Sequence, residues 1–210
     1  MITIDKITDG LPISVIVPLS KDRSDFFTNL VLPLLEASNV NEIIVNDDFG
    51  TAPKKRNDGF KKSTQPFIFF LDDDILLPID YIESLYNTLV ANPDVSFAYT
   101  GYHGIVMHPE THPIHGNYQI PNIEFNPYAL KQANYISTMS LMRREVFPMF
   151  DEKLKRLQDY DLWLTVVERG GRGMLVPDKT FYAFYLDSGI TSDTNSEVDA
   201  INAIRNKHNI

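Results

Sequence analysis

The chain has 210 residues, enough for one domain with a self-sufficient core, and its 43% hydrophobic and 22% charged residues describe an ordinary folded protein without a low-complexity tract. Its formal net charge of -9, with 28 acids against 19 Lys and Arg and no basic stripe, argues against nucleic acid as a partner. Zero cysteines exclude disulfides, thiolate metal sites and cysteine nucleophiles, leaving oxygen and imidazole ligands as the means of holding a metal.

The first clear element is ISVIVP, Ile13 to Pro18, a β-branched apolar run closed by proline that reads as a strand buried on both faces. After the polar loop LSKDRSD, apolar residues recur at Phe26, Phe27, Leu30, Val31, Leu34 and Leu35. This spacing predicts a helix to Ala37 with Ser24 or Asp25 as N-cap and a kink at Pro33. NEIIVNDD is a second short buried strand, so the order strand, helix, strand opens an α/β unit. The polar segment that follows has room for one short helix around Arg56 to Ser63 before a third strand, FIFFL. A helix from Pro78 to Leu89, a turn at Asn92 to Asp94 and a strand from Val95 to Thr100 continue the alternation.

From Tyr102 to Asn134 the periodicity dissolves among prolines, histidines and aromatics, which predicts a long functional excursion. A strand is expected at Tyr135 to Met142, a short helix at Arg144 to Met149 and a second helix at about Asp159 to Arg169, ended by Gly170 and Gly171. A strand at Gly173 to Val176 and a tail helix from Ser196 to Lys207 complete the chain. No internal repeat or linker divides it.

The chemistry concentrates in FIFFLDDDILLP, where three aspartates follow a buried strand. Strand alternation predicts that Asp72 and Asp74 share a face while Asp73 points away in a structural role. Two convergent carboxylates repel unless a cation lies near them, and a hard Mn²⁺ or Mg²⁺ suits all-oxygen ligation, as does a phosphate-bearing ligand that carries the ion. The plain alternative is a solvated turn with a helix-capping acid. Asp48 could likewise only form a turn and Arg56 only add one more solvated charge. Asp159 sits where an N-cap belongs.

Taken in order, ISVIVP, IIVNDDFG, Arg56-Asn57-Asp58-Gly59, FLDDDILLP and LQDYDLWLTVVERGG resemble the motif series of GT-A glycosyltransferases of family 2. That family has a strand ending in V-P, then D-D-G-S, R-N-x-G, D-x-D and an E-D pair before a helix. The resemblance implies an α/β GT-A (nucleotide-diphospho-sugar transferase) fold, with a single Rossmann-like, mostly parallel central sheet flanked by helices. Residues 1–101 would form the nucleotide-sugar half and 102–210 the acceptor side of a single domain, which could be one domain of a longer polypeptide. It further implies a metal-dependent enzyme moving a sugar from a UDP-sugar to a hydroxyl of a carbohydrate or glycoconjugate acceptor with inversion.

Carried over by residue, Pro18 and the loop after it line the nucleotide site, Asp48 contacts base or ribose and Arg56 lies near base or diphosphate. Asp72 meets ribose or metal, Asp74 ligates the metal, and Asp159 is the general base with Asp161 as runner-up. The chain departs from the pattern at Gln158 in place of glutamate, Phe49 in place of glycine, and Leu19-Ser20-Lys21 in place of T-Y-N. Its nucleotide half is also shortened between NDD and Arg56. Asp187 and Ser188 stand where relatives often carry a histidine near the phosphates, so no third protein ligand is expected there.

His103, His108, His112 and His115 invite a zinc reading, but H-x3-H needs a helix and Pro109 and Pro113 disfavour one. A haloacid-dehalogenase-like phosphatase, with Asp72 as nucleophile and Asp74 as acid/base, is the rival enzyme. Its motif belongs on the first strand, and Leu76 holds the place of its Thr or Val. A sugar nucleotidyltransferase would need a G-x-G-x-R loop, which is missing, and an inactive GT-A-shaped binding module is the rival of another class. No apolar run reaches the ~18 residues of a membrane span and the N-terminus lacks signal-peptide features, so a cytoplasmic location is expected, with peripheral membrane attachment left open.

Overall fold

The computed structural model describes residues 2–5, 10–107, 116–185 and 194–210, with the side chains of 2–5 and 194–196 left aside. His108, His112 and His115, whose reading as zinc ligands Pro109 and Pro113 disfavour, lie outside the described residues, as do Asp187 and Ser188.

Strand β1 (Ile2–Asp5) precedes β2 (Leu11–Pro18), and short helices lead to β3 (Val40–Asn46). Helix α3 (Ala52–Lys62) leads to β4 (Phe67–Phe70), then to β5 (Ile75–Leu76), α4 (Tyr81–Ala91) and β6 (Phe97–Val106). Next come β7 (Tyr118–Ile120), α5 (Pro127–Gln132), β8 (Leu141–Arg143), α6 (Gln158–Glu168), β9 (Gly173–Tyr185) and α7 (Thr194–His208). They build one sheet in the order β1-β3-β2-β4-β8-β6-β9-β5, with β7 beside β6.

The parallel ladders β2/β3, β2/β4 and β6/β9 form its heart, and β8 enters antiparallel between β4 and β6. Side chains alternate as a strand requires. Ile13, Val15, Val17, Phe67 and Phe69 enter the core on one face with Phe27, Leu35 and the α4 residues Ile82 and Leu85. Ile16, Ile68 and Phe70 enter the other with Leu130 of α5, Trp163 of α6 and Ile204 of α7. Helices thus cover both faces, and each fully buried aliphatic side chain contributes about 1.5–3 kcal/mol.

The structure differs from the sequence expectations where pairing is long-range. Strand β6 continues past Thr100 to Val106 because Gly101 to Val106 pair with Thr180 to Tyr185 of β9. The excursion carries β7, paired on the outer side of β6, and α5, whose N-cap Asn126 accepts from the Tyr128 and Ala129 amides. The strand expected at Tyr135 to Met142 shrinks to Leu141–Arg143, the part that reaches β4 and β6.

The helix expected from Phe26 is broken into a 3-10 turn (Lys21–Arg23), α1 (Ser24–Phe26), a π-turn (Phe27–Val31) and α2 (Leu32–Ala37). Pro33 offers no N–H, and the Leu32 amide reaches five residues back to the Phe27 carbonyl. Among the described residues no helix is long and apolar enough to cross a membrane.

Candidate functional site

The parallel strands β2, β3 and β4 end on one side of the sheet, where open α/β folds receive ligands. Pro18 is buried, in register with Asn46, and the Leu19 amide donates to the Asn46 carbonyl at 3.0 Å. Lys55 of α3 donates to the Leu19 carbonyl at 2.6 Å, so α3 fixes the exit of β2. Asp48 stands exposed on the loop after β3, at this same end of the sheet.

The aspartate triplet lies beyond the end of β4 at Phe70, so strand alternation does not govern it. Asp72 accepts from Arg56 Nη2 at 2.5 Å. Asp73, nearly fully buried, accepts from the Ser20 amide at 2.6 Å and from Arg23 Nη1 at 2.8 Å, tying the loop after β2 to the triplet. The alternation expected from the sequence is thus not seen: Asp73 shares Arg23 with Asp74, while Asp72 pairs with Arg56. Asp74 accepts from the same Arg23 nitrogen, and its carbonyl accepts from the Phe184 amide at 2.9 Å.

Burial pushes the Asp74 carboxyl up to about 7, opposed by Arg23 and reinforced by Asp72 and Asp73. Burial likewise raises Asp73, against the pull of Arg23. Arg23 itself is held charged: burial works against its charge, and Asp74, Asp73 and Asp72 outweigh it.

Arg56 is placed by α3, whose approach to β2 depends on Gly59: a Cβ there would sit 2.5 Å from Ile16 Cγ2. Asn57 holds the backbone of Phe150 from both sides, donating to its carbonyl at 3.0 Å and accepting from its amide at 2.8 Å. The Phe150 ring lies 5.2 Å from the Arg56 guanidinium carbon. Arg56 then bridges the two halves of the chain, since its Nη1 donates to Gln158 Oε1 at 2.8 Å while Nη2 holds Asp72.

Helix α6 begins at Gln158, after Leu157 in the left-handed conformation (φ 55°), so Asp159 is its second residue rather than its N-cap. The helix is anchored by Trp163, stacked on Phe97 with ring centroids 4.4 Å apart and donating to the Ile136 carbonyl at 2.9 Å. Asp159 accepts from Asn134 Nδ2 at 2.9 Å and from the Tyr160 amide at 2.9 Å. Burial raises its carboxyl above the usual range, countered by those two donors and by Arg56. Asp159, Arg56 and Asp72 therefore share one electrostatic neighbourhood.

Asp161 is not brought there. It is buried under α7, accepting from Lys207 Nζ at 2.9 Å and lying 2.9 Å from His208 Nε2. His103 is stacked on Tyr182, with centroids 5.5 Å apart.

Two residues of this constellation, Arg23 and Asn134, are not singled out by the sequence, and a third, Gln158, is noted there only as a departure from the family pattern. Arg23 is one charge in a polar loop and meets its carboxylates 50 and 51 positions away. Asn134 lies in the aperiodic excursion. Neither has a local signal.

The donor chemistry of Asp72 and Asp74 fits a hard divalent ion: both are carboxylates, with side chains 31% and 23% exposed. Among the described residues no group of three or more His, Cys, Asp or Glu gathers that could hold a metal. A cation here would complete its shell with phosphate oxygens and water, as Mg²⁺ sites commonly do.

Residues 52–149 match the family model described as glycosyl transferase family 2. No curated protein sequence matches the chain. The solved structures it resembles include S. aureus TarS 1-349 in complex with UDP-GlcNAc, with TM-score 0.67, 15% identity and coverage of 93% of this chain and 66% of that one. TarS 1-349 itself gives TM-score 0.64 at 15% identity over 93% and 64%, and S. aureus TarS gives 0.65 at 15% over 93% and 39%. The chain thus spans about two thirds of the TarS 1-349 structures, and identity this low speaks for the fold alone. The chain has the GT-A fold and, across the segment that carries Arg56 and the aspartate triplet, the sequence pattern of glycosyl transferase family 2.

Proposed function

We propose that the chain transfers a sugar from a UDP-sugar to a hydroxyl of a carbohydrate or glycoconjugate acceptor, with inversion and with the help of Mn²⁺ or Mg²⁺. The observation that carries this reading is the Arg56 bridge, which joins Asp72 of the triplet to Gln158 at the start of α6, next to Asp159. Donor and acceptor chemistry need such adjacency. The UDP-GlcNAc and UDP complexes of TarS support a uridine nucleotide as the donor carrier.

In this reading Pro18 and Asp48 line the base and ribose side, and Asp72 and Asp74 hold the cation. When bound, the cation supplies Lewis-acid neutralisation of the departing diphosphate. Arg56 adds a fixed positive charge beside the same leaving group. Asp159 accepts the proton of the acceptor hydroxyl as that oxygen attacks the anomeric carbon, and its raised proton affinity makes it a stronger base than an exposed aspartate. The Asn134 and Tyr160 donors orient its carboxylate. One displacement from the face opposite the leaving group inverts the anomeric centre.

The test is a thermal-shift panel of UDP-, GDP- and dTDP-sugars with and without Mn²⁺, since a ligand that binds only the folded state raises the midpoint by mass action. UDP-sugar with Mn²⁺ is expected to give the largest shift, and Asp74→Ala to remove it. If no nucleotide sugar stabilises the chain with metal, or if Asp74→Ala leaves the shift intact, the assignment is wrong. Release of UDP from UDP-GlcNAc without acceptor separates an enzyme from a binding module.

A further inference from the structure

Arg23 holds an unusual place in the site. Its side chain is 16% exposed, and one nitrogen, Nη1, serves both Asp73 and Asp74. Its Nε is buried without a hydrogen-bond partner. The guanidinium therefore gives up the paired fork geometry that Arg–carboxylate contacts favour, with one donor shared and another orphaned. Asp73 keeps the Ser20 amide as a second donor at 2.6 Å, whereas Arg23 is the one side-chain partner of the Asp74 carboxylate among the described residues.

The element that carries Arg23 passes from a 3-10 turn into α1 and then a π-turn, and none of these starts with a side-chain cap. Such register changes let a helical segment shift locally, and π-turns recur at functional sites.

We propose that a divalent ion and the Arg23 guanidinium compete for Asp74. The inference rests on the metal-nucleotide reading of the site. Two like charges on one carboxylate at contact distance repel, and Arg23 already holds Oδ2 of Asp74, one of the two oxygens a hard ion could use. Displaced from Asp74, Arg23 retains Asp73. The competition makes the ion alone a weak ligand and lets the donor's diphosphate, by offering further oxygens, draw it in. Binding of ion and donor is then mutually reinforcing, by reciprocal linkage.

Mn²⁺ titration of the full chain without nucleotide, followed by electron paramagnetic resonance, tests this in wild type, Arg23→Gln and Arg23→Lys. Arg23→Gln is expected to bind Mn²⁺ about tenfold tighter, the scale of one close charge pair, with Arg23→Lys between. Circular dichroism melts confirm that each variant is folded, and should Arg23→Gln not fold, Arg23→Lys decides. Equal or weaker Mn²⁺ binding in the folded variants overturns the proposal. If wild type is still stabilised by UDP-sugar with Mn²⁺ in that case, the donor-site reading stands and only the competition fails. If no variant binds Mn²⁺ and UDP-sugar gives no stabilisation, both fall.

Discussion

In the proposed reaction, Asp159 is the residue at which chemistry and stability oppose each other. Its folded pKa is raised above the unfolded value, chiefly by burial. A carboxyl of this kind binds its proton more tightly when folded, so its contribution to stability is fully present below the unfolded pKa and is lost as pH rises through the folded value. Asp159→Asn is therefore expected to raise Tm at pH 7–8, to show little difference from wild type at about pH 4, and to abolish sugar transfer; calorimetric melts across pH alongside a transfer assay check both. Asp161→Asn separates the two acids: loss of stability of about 1–3 kcal/mol, read by urea unfolding, with transfer retained by the folded fraction. Loss of transfer at full stability would put the base at Asp161. Sequence placed Asp159 at a helix N-cap and Asp161 in the first turn but could not compare their environments, because Lys207 and His208 reach Asp161 from 46 and 47 positions away.

At the scale of elements, α3 is the part that converts a motif into geometry. Arg56, Asn57 and Gly59 face inward along it, toward Asp72, the Phe150 backbone and Ile16 respectively. Gly59→Ala inserts a Cβ 2.5 Å from Ile16 Cγ2 and is expected to cost about 1–3 kcal/mol in urea unfolding, with weaker UDP-sugar binding as Arg56 is displaced. Unchanged stability would show that α3 can move away from β2 freely.

The buried strands β2, β3 and β4 were legible because a strand buried on both faces reads as a continuous apolar run. Residues 102–106 were not, since what makes them a strand is Thr180 to Tyr185, a partner about 80 positions distant whose own sequence, FYAFY, continues beyond the segment expected to be strand. Helix α3 began four residues earlier than its apolar content suggested, because its inward face is charged and polar: Lys55, Arg56 and Asn57 are buried there through hydrogen bonds rather than by hydrophobicity.

Over the whole molecule, long-range polar links tie α3 and α6 to parts of the chain distant in sequence. Arg56 to Gln158, Asn57 to Phe150 and Lys207 with His208 to Asp161 span 46 to 102 positions of sequence. Helix α7 packs Ile204 into the core beside Trp163 of α6 and latches α6 through Asp161. His208→Ala is therefore expected to lower Tm without altering the affinity for UDP-sugar in the folded protein; a lowered affinity at unchanged Tm would show that α7 acts on the site directly. The order of motifs along the chain pointed to Arg56 and the aspartate triplet, which the structure brings into contact. It did not contain the guanidinium of Arg23 or the amide of Asn134, whose contacts form only on folding, with Asp73 and Asp74 50 and 51 positions from Arg23 and Asp159 25 positions from Asn134.

The central claim is that Asp72, Asp74 and the start of α6 form one metal-nucleotide site. It is tested most directly by the paramagnetic broadening that Mn²⁺ imposes on the ³¹P resonances of UDP in the presence of the protein. The account predicts saturable broadening of both phosphates beyond that in free solution for wild type and for Asp159→Asn, and its loss in Asp74→Ala. Broadening that is the same with and without the protein, or that survives Asp74→Ala unchanged, would contradict it.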